Sequence, residues 1–199
     1  MFPYKLDYNS SSYLGLIYYI RNTTKHSYSV VPTVSSFHSL WPQTDRPYWV
    51  INGISETEPN DSTRWVSKEI NNQWYQLEFK NIKIALTGYY VYTYHGRQRY
   101  LMMLGSNDGI SFDLIENTTI PSKPANNLSY INVSTMKWYN VFRVQNIDRG
   151  FDNFYAFDLY RIELFGFVDE FNKCSICNCR LSGNSFFAYL TPFILILTS

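Results

Sequence analysis

Residues 72–94, NQWYQLEFKNIKIALTGYYVYTY, carry the clearest secondary-structure signal in this chain. Tyr75, Leu77 and Phe79 alternate with polar residues, and an alternation of period two is typical of a half-buried β-strand. A polar pair follows Phe79, and the apolar pattern then resumes until Gly88 interrupts it ahead of an aromatic run. The sequence therefore predicts one strand ending at Phe79 and two further strands on either side of Gly88.

The same kind of signal continues towards the C-terminus. Residues 106–109 (SNDG) form a turn signal, because Asp-Gly supplies the positive φ angles of a tight hairpin. Residues 100–104 are apolar throughout, which predicts a strand covered on both faces. Further strands are predicted at 112–115, 138–144 and 154–167. This succession of short strands predicts an all-β sandwich or barrel.

Ahead of these strands, the sequence predicts one short amphipathic helix. Leu14, Ile17, Tyr18 and Arg21 have the spacing of one helix face, and serines precede them as candidate caps. The 27–67 stretch is less regular, and its four prolines predict long connections, where all-β domains tend to carry ligand contacts.

Composition narrows the function classes. The chain has 199 residues, enough for one domain or for one domain with a tail. Its formal net charge is only +1, so no global field attracts nucleic acid. Paired carboxylates, a nucleophile beside a histidine, a glycine-rich phosphate loop and an HExxH motif are all missing from the sequence. We therefore expect a protein that is not an enzyme.

Four segments, in this order, resemble motifs of one known family. They are Asn52-Gly53 followed by Trp65, NQWYQLEF at 72–79, LGSNDG at 104–109 and RIELFG at 161–166. Together they resemble the discoidin family, also called the coagulation factor V/VIII type C domain, and most of all its divergent protozoan copies. The resemblance implies a galactose-binding-like jelly-roll β-sandwich over residues 27–168, with an N-terminal segment (1–26) containing the short helix and a tail (169–199). It also implies a non-catalytic module for carbohydrate binding or cell adhesion.

In that family, ligand contacts come from loops at one end of the sandwich. Glycan recognition needs aromatic platforms beside polar groups that bond to hydroxyls, and two loops supply both. The candidate ligand-binding residues are His38, Trp41, Arg46, Tyr48, His95, Arg97 and Arg99. The alternative is that Trp41 and Tyr48 pack beneath a long loop and that the arginines are solvated loop charges. Trp65 and Trp74 are expected in the core.

Many galactose-binding-like modules also hold a structural calcium ion. The resemblance implies Asn52, Gly53 and Glu163 as its ligands, although calcium prefers six to eight oxygens and Glu163 is the one carboxylate among them. The alternative is that Glu163 is hydrogen-bonded to the loop without a metal ion.

The C-terminal sequence has its own features. Cys174, Cys177 and Cys179 supply three thiolates where a structural zinc site needs four ligands, so unmodified thiols are favoured over metal binding or palmitoylation. Residues 186–197 are almost wholly apolar but too short to span a bilayer as a helix. They are interpreted either as a lipid-anchor signal or as a tail that docks on the domain or on a membrane surface.

The cellular compartment stays open at this point. No cleavable signal peptide is expected at the start of the sequence. The sequence is therefore compatible with a cell-surface glycan-binding module and, as the alternative, with an intracellular protein–protein interaction module. On the secretory route, the N-glycosylation acceptors are Asn9, Asn22, Asn60, Asn117, Asn127 and Asn132.

Overall fold

Antiparallel β-strands make up most of the fold. The computed structural model describes residues 4–6, 14–23, 30–39, 46–52, 64–124 and 127–170. The strands are β1 (Tyr4–Leu6), β2 (Val30–Val34), β3 (Trp65–Val66), β4 (Gln73–Phe79), β5 (Ile82–Tyr92), β6 (Tyr100–Ser106), β7 (Asp113–Thr119), β8 (Leu128–Asn132), β9 (Val141–Asn146), β10 (Asp158–Leu159) and β11 (Arg161–Glu170). The helices are α1 (Leu16–Thr23) and α2 (Arg46–Asn52), and a single 3-10 turn spans Tyr94–Gly96.

The strands form two main sheets and one short ribbon. One sheet has the order β1-β11-β5-β8, the other has the order β2-β4-β9-β6-β7, and β10 pairs with β3. All of these pairings are antiparallel. The predicted all-β sandwich is therefore confirmed.

The core lies between the two main sheets. Tyr75, Leu77 and Phe79 on β4 are buried, which confirms the predicted alternation, and Leu86 and Leu164 belong to the same core cluster. Trp65 is fully buried, as expected, and its ring packs 5.7 Å from that of Tyr75. Trp74, by contrast, is only half-buried.

Two of the strand predictions that differ from the structure concern β5 and β6. β5 runs without a break through Gly88, because the neighbouring strands pair with it at Phe165 and at Asn132. A Cβ at Gly88 would lie 2.3 Å from the hydroxyl oxygen of Tyr130, so the glycine makes room for a ring and does not end the strand. On β6, burial alternates along residues 100–104, so only one face of this strand lies in the core.

The helices differ from the sequence expectation in two respects. α1 is present, but it buries Leu16, Ile17 and Ile20 while Leu14 is exposed. α2 was not predicted, because Pro47 was interpreted as part of a loop. Proline is tolerated in the first turn of a helix, where its missing N–H has no partner to lose. α2 packs against β2, β3 and β11.

Strand register defines the two ends of the sandwich. β5 runs from Ile82 to Tyr92, antiparallel to β11, so Tyr92 lies beside Arg161 and Ile82 beside Glu170. The loop containing His95 leaves β5 at Tyr92, and we call this the His95 end. The opposite end, where β11 finishes, is the Glu170 end.

Candidate functional site

A cluster of charged and aromatic side chains occupies the His95 end. It combines the loop between β5 and β6 with the segment before β11 and the residue ahead of β3. We call it the Tyr94 cluster, and its members are Arg64, Tyr94, His95, Arg97, Asp152, Phe154 and Asp158.

Asp158 is the buried anchor of the cluster, with 1% of its surface exposed. One carboxylate oxygen accepts the backbone N–H of Tyr94 at 2.8 Å. The other lies 3.5 Å from a guanidinium nitrogen of both Arg64 and Arg97. Burial raises the pKa of Asp158 to about 6, although both guanidinium groups act to lower it. The carboxylate thus ties three separate segments together.

The Tyr94 ring lies at the centre of the cluster. The guanidinium carbon of Arg64 is 4.0 Å from the ring centroid and that of Arg97 is 5.3 Å away. Both are within cation–π range, and such contacts are worth about 0.5–2 kcal/mol depending on desolvation. The Tyr94 ring therefore contacts two guanidinium groups, and both of these also lie beside the Asp158 carboxylate.

His95 presents its side chain to solvent from a strained backbone. Its φ is 54° and its ψ is 24°, which is the left-handed region. This conformation costs roughly 1–2 kcal/mol for a residue with a Cβ. The imidazole lies against the Tyr94 ring, with 3.9 Å between the ring centroids. The strained backbone and the ring contact fix the direction in which the imidazole can donate or accept a hydrogen bond.

The 148–154 segment supports the loop from the other side. The Phe151 N–H donates to the carbonyl oxygen of Arg97 at 2.9 Å, and the Arg97 side chain pairs with Asp152. A Cβ at Gly150 would lie 2.4 Å from that carbonyl oxygen, so only glycine permits this approach. The Phe154 ring lies 5.4 Å from the Arg97 guanidinium carbon and is 46% exposed. Part of the Phe154 side chain is thus open to solvent within the cluster.

Of the predicted ligand-binding residues, His95, Arg97 and Arg99 lie on one loop, and His95 and Arg97 both contact the Tyr94 ring. His38 is half-buried, and its backbone N–H donates to the carbonyl oxygen of Val66 on β3. Tyr48 is exposed on α2, and within the described residues no hydrogen bond or ring contact joins it to that loop. Trp41 lies outside the described residues, as does the side chain of Arg46.

Sequence reasoning missed five members of the cluster. They are Arg64, Tyr94, Asp152, Phe154 and Asp158. One signal was available: Asp158 is a lone charge in the otherwise apolar AFDLY stretch, and a buried carboxylate must have partners. Its partner Tyr94 is 64 positions away, however, so the sequence could not name it.

Glu163 does not form a calcium site with the residues that the structure describes. It is 2% exposed, and its carboxylate accepts the N–H groups of Ile17 at 3.0 Å and Tyr18 at 3.2 Å. A guanidinium nitrogen of Arg161 lies 3.8 Å away, which opposes a cation. No group of three or more metal-ligating side chains occurs in the described part of the chain. Gly53 and the Asn52 side chain lie outside it.

Several other predictions fall wholly or partly outside the described residues. Residues 171–199, with the three cysteines and the apolar tail, are among them, as are Asn9, Asn60 and the Asn22 side chain. Asn117 and Asn132 are exposed, and Asn127 is half-buried. Within the described ranges, no helix is both long and apolar enough to cross a membrane. The predicted boundaries near residues 26 and 168 stay predictions.

Comparison with known proteins gives structural matches only. No family model and no curated protein matches this sequence. The solved structures include CpGH89CBM32-5 from Clostridium perfringens in complex with GalNAc-β-1,3-galactose, with a TM-score of 0.54 and 15% identity over 69% of this chain and 96% of that chain. CBM32-3, from a family 31 glycoside hydrolase of Clostridium perfringens, has a TM-score of 0.55 and 11% identity over 69% and 91%. The CBM32 of AlyQ, in complex with 4,5-unsaturated mannuronic acid, has a TM-score of 0.51 and 14% identity over 68% and 93%.

These likenesses define the fold class. The chain has the β-sandwich fold of the family 32 carbohydrate-binding modules, which is the galactose-binding-like fold that discoidin domains share. At these identities the comparison shows the fold, and what the chain binds has to be argued from its own residues.

Proposed function

We propose that this chain is a non-catalytic glycan-binding module and that the Tyr94 cluster is its ligand-binding site. The observation that carries the proposal is the buried Asp158 carboxylate, which fixes the Tyr94 backbone and two guanidinium groups. This arrangement keeps the His95 imidazole and the Phe154 ring at the surface of the same end.

The chemistry of the cluster suits a sugar. A pyranose presents hydroxyl groups at its edge and C–H groups on its face, so a site needs hydrogen-bonding groups beside an apolar surface. His95 can donate to or accept from a hydroxyl, and Arg97 is a donor only. Phe154, with 46% of its surface exposed, offers the apolar face. We infer that a sugar ring packs on Phe154 and bonds to His95.

The rigidity of the loop supports the same proposal. Ordering a mobile loop on binding costs free energy, and a loop that is already fixed avoids that cost. Here the Tyr94 N–H, the Arg97 carbonyl oxygen and the Gly150 contact all fix the loop without a ligand. The binding surface is small and solvent-exposed, so we expect weak binding, with a Kd between about 1 μM and 1 mM.

The structural neighbours support this proposal at the level of class, since three of them are carbohydrate-binding modules in complex with a sugar. Membership of the discoidin family, a role in adhesion and association of the tail with a membrane are finer proposals that the sequence motivates. The intracellular interaction module stays the alternative.

The test is a glycan array followed by titration calorimetry on the full chain. Phe154→Ala removes the exposed ring, and His95→Asn removes the imidazole while keeping a residue that tolerates the left-handed backbone. Truncating a central aromatic contact typically costs more than 1 kcal/mol, so each change is expected to weaken binding about tenfold.

Met136→Ala is the matched control, because Met136 is 92% exposed and precedes Tyr139, which bridges to β5 near the Glu170 end. Equal loss in all three variants, or no loss in the first two, would show that the site lies elsewhere. If no glycan binds the folded wild-type chain, the proposal is wrong, and a pull-down for a protein partner becomes the next experiment.

A further inference from the structure

Among the described residues, two arginines at the His95 end have no carboxylate partner. Arg99 is exposed, and its guanidinium carbon lies 5.0 Å from the Tyr100 ring centroid and 5.6 Å from that of Phe151. Arg149 is also exposed; it lies 4.7 Å from the Tyr155 ring centroid and donates to the Asn153 side-chain oxygen at 3.0 Å. Among the described residues, neither guanidinium group pairs with an acid.

Both arginines belong to the surface that carries the Tyr94 cluster. Arg99 follows Arg97 by two positions in the same loop. Arg149 lies in the 148–154 segment, where the Phe151 N–H donates to the Arg97 carbonyl oxygen at 2.9 Å. Arg99 and Arg149 therefore lie on the two segments that form and support the loop of the proposed sugar site.

The acids of this surface are engaged elsewhere. Asp158 is buried against Arg64 and Arg97, and Asp152 pairs with Arg97. Asp148 is exposed, and it accepts the backbone N–H of the residue that follows it at 2.7 Å. Asp148 lowers the positive potential locally, but in the described structure it forms no ion pair with Arg99 or Arg149.

Cation–π contacts with aromatic rings shape what these arginines can bind. A guanidinium group in contact with a ring still has N–H donors that the ring does not engage. That planar fork matches the two oxygens of a carboxylate, and charge-assisted bonds of this kind are about twice as strong as neutral ones. The ring also limits side-chain freedom before binding, so less entropy is lost.

We propose that Arg99 and Arg149 form a subsite for an acidic substituent of the bound glycan, so that the preferred ligand is an anionic saccharide. This proposal rests on the proposed function, because it takes the Tyr94 cluster as the place where the sugar ring binds. The shared chemistry of the ligand is a carboxylate or sulfate oxygen pair, and a uronic acid is the simplest sugar that supplies it.

The experiment compares oligogalacturonate with its methyl ester, which has the same sugar ring without the charge. Titration calorimetry on the full chain is expected to give about tenfold tighter binding of the acid at low salt, with the difference shrinking as salt rises. A sulfated oligosaccharide of the same length forms a further arm and separates a general anion preference from a carboxylate preference.

The Arg99→Gln/Arg149→Gln double variant is expected to abolish the preference for the acid over the ester. Lys80→Gln is the matched control, because Lys80 is an exposed cation in the turn between β4 and β5 at the Glu170 end. This control is expected to keep the full preference.

The outcomes separate the two proposals. Binding of acid and ester with equal affinity would overturn the anionic subsite and leave the glycan-binding function standing. No binding of any saccharide would overturn the proposed function itself. Equally tight binding of inorganic polyphosphate would show general attraction of polyanions and would also overturn the saccharide subsite.

Discussion

Raising the pH from about 6 to about 8 is expected to weaken the fold through one buried group, the carboxyl of Glu163. Burial raises the pKa of Glu163 from 4.5 to about 8, although Arg161 and the amides of Ile17 and Tyr18 act to lower it. The folded chain therefore keeps a proton that the unfolded chain releases. A raised folded-state pKa means that stability is highest below the unfolded pKa and is lost as the pH rises towards the folded pKa.

The size of the effect follows from that difference in proton binding. Each pH unit between the two pKa values changes the free energy of unfolding by about 1.4 kcal/mol. Two units therefore remove about 2–3 kcal/mol, a large part of the stability of a typical domain. The pKa of Asp158 is also raised, to about 6, so it contributes mainly below this window.

The assay is urea unfolding of the wild type and of Glu163→Gln at pH 6, 7 and 8, under otherwise equal conditions. The amide resembles the protonated acid in shape and cannot ionise. The free energy of unfolding of the variant is therefore expected to change little between pH 6 and pH 8. In the wild type, the unfolding midpoint is expected to fall by about 1 M urea across the window. Glu78→Gln, on the exposed face of β4, is the control that keeps the wild-type slope.

The opposite sign would refute this reasoning. If wild-type stability relative to Glu163→Gln rose from pH 6 to pH 8, the amides and Arg161 would outweigh burial and the carboxylate would be ionised throughout. The calcium hypothesis would instead be restored if wild-type stability rose with pH only in the presence of added calcium and fell with pH again after a chelator was added.

Three further substitutions test packing and backbone strain. Gly15→Ala places a Cβ 2.6 Å from a Glu163 carboxylate oxygen and 2.7 Å from the Leu164 carbonyl oxygen, so it is expected to cost about 1–3 kcal/mol in urea unfolding. Gly109→Ala, which meets no atom within 4 Å but has a φ of 72°, is expected to cost only the smaller backbone strain. Trp65→Phe removes the indole N–H that donates to Ser36 at 3.0 Å and leaves a void beside Tyr75, so a loss of about 2–3 kcal/mol is expected. A loss below about 1 kcal/mol would contradict the placement of Trp65 in the core.

The strands could be predicted because their signal is local. The alternation of Tyr75, Leu77 and Phe79 depends only on which face of β4 meets the core. The role of Gly88 is not local, since the strand continues there because of pairing with β8 and β11. α2 was missed for a similar reason, because its short amphipathic turns are stabilised by packing against three strands.

The candidate site was predictable only in part. His95, Arg97 and Arg99 could be proposed because polar and basic residues between two strands indicate a loop. Their supporting partners come from segments distant in sequence. Asp158, for example, accepts the backbone N–H of Tyr94, which is 64 positions away in the sequence. Phe154 was assigned to a strand, whereas it lies in the segment before β10 and is exposed.

Asp158 and Glu163 are both buried carboxyl groups that hold a distant segment of the chain, and this explains why a polar residue occupies each position. Each accepts backbone N–H groups from a distant segment, the loop after β5 in one case and α1 in the other. Burial raises the pKa of both, so their ionised forms cost stability that an apolar residue would not cost. An apolar residue, however, could not accept those N–H groups. The two buried carboxyl groups thus lower the stability of the fold, but their hydrogen bonds fix the position of two distant segments. For Asp158, that segment is the loop on which the proposed binding depends.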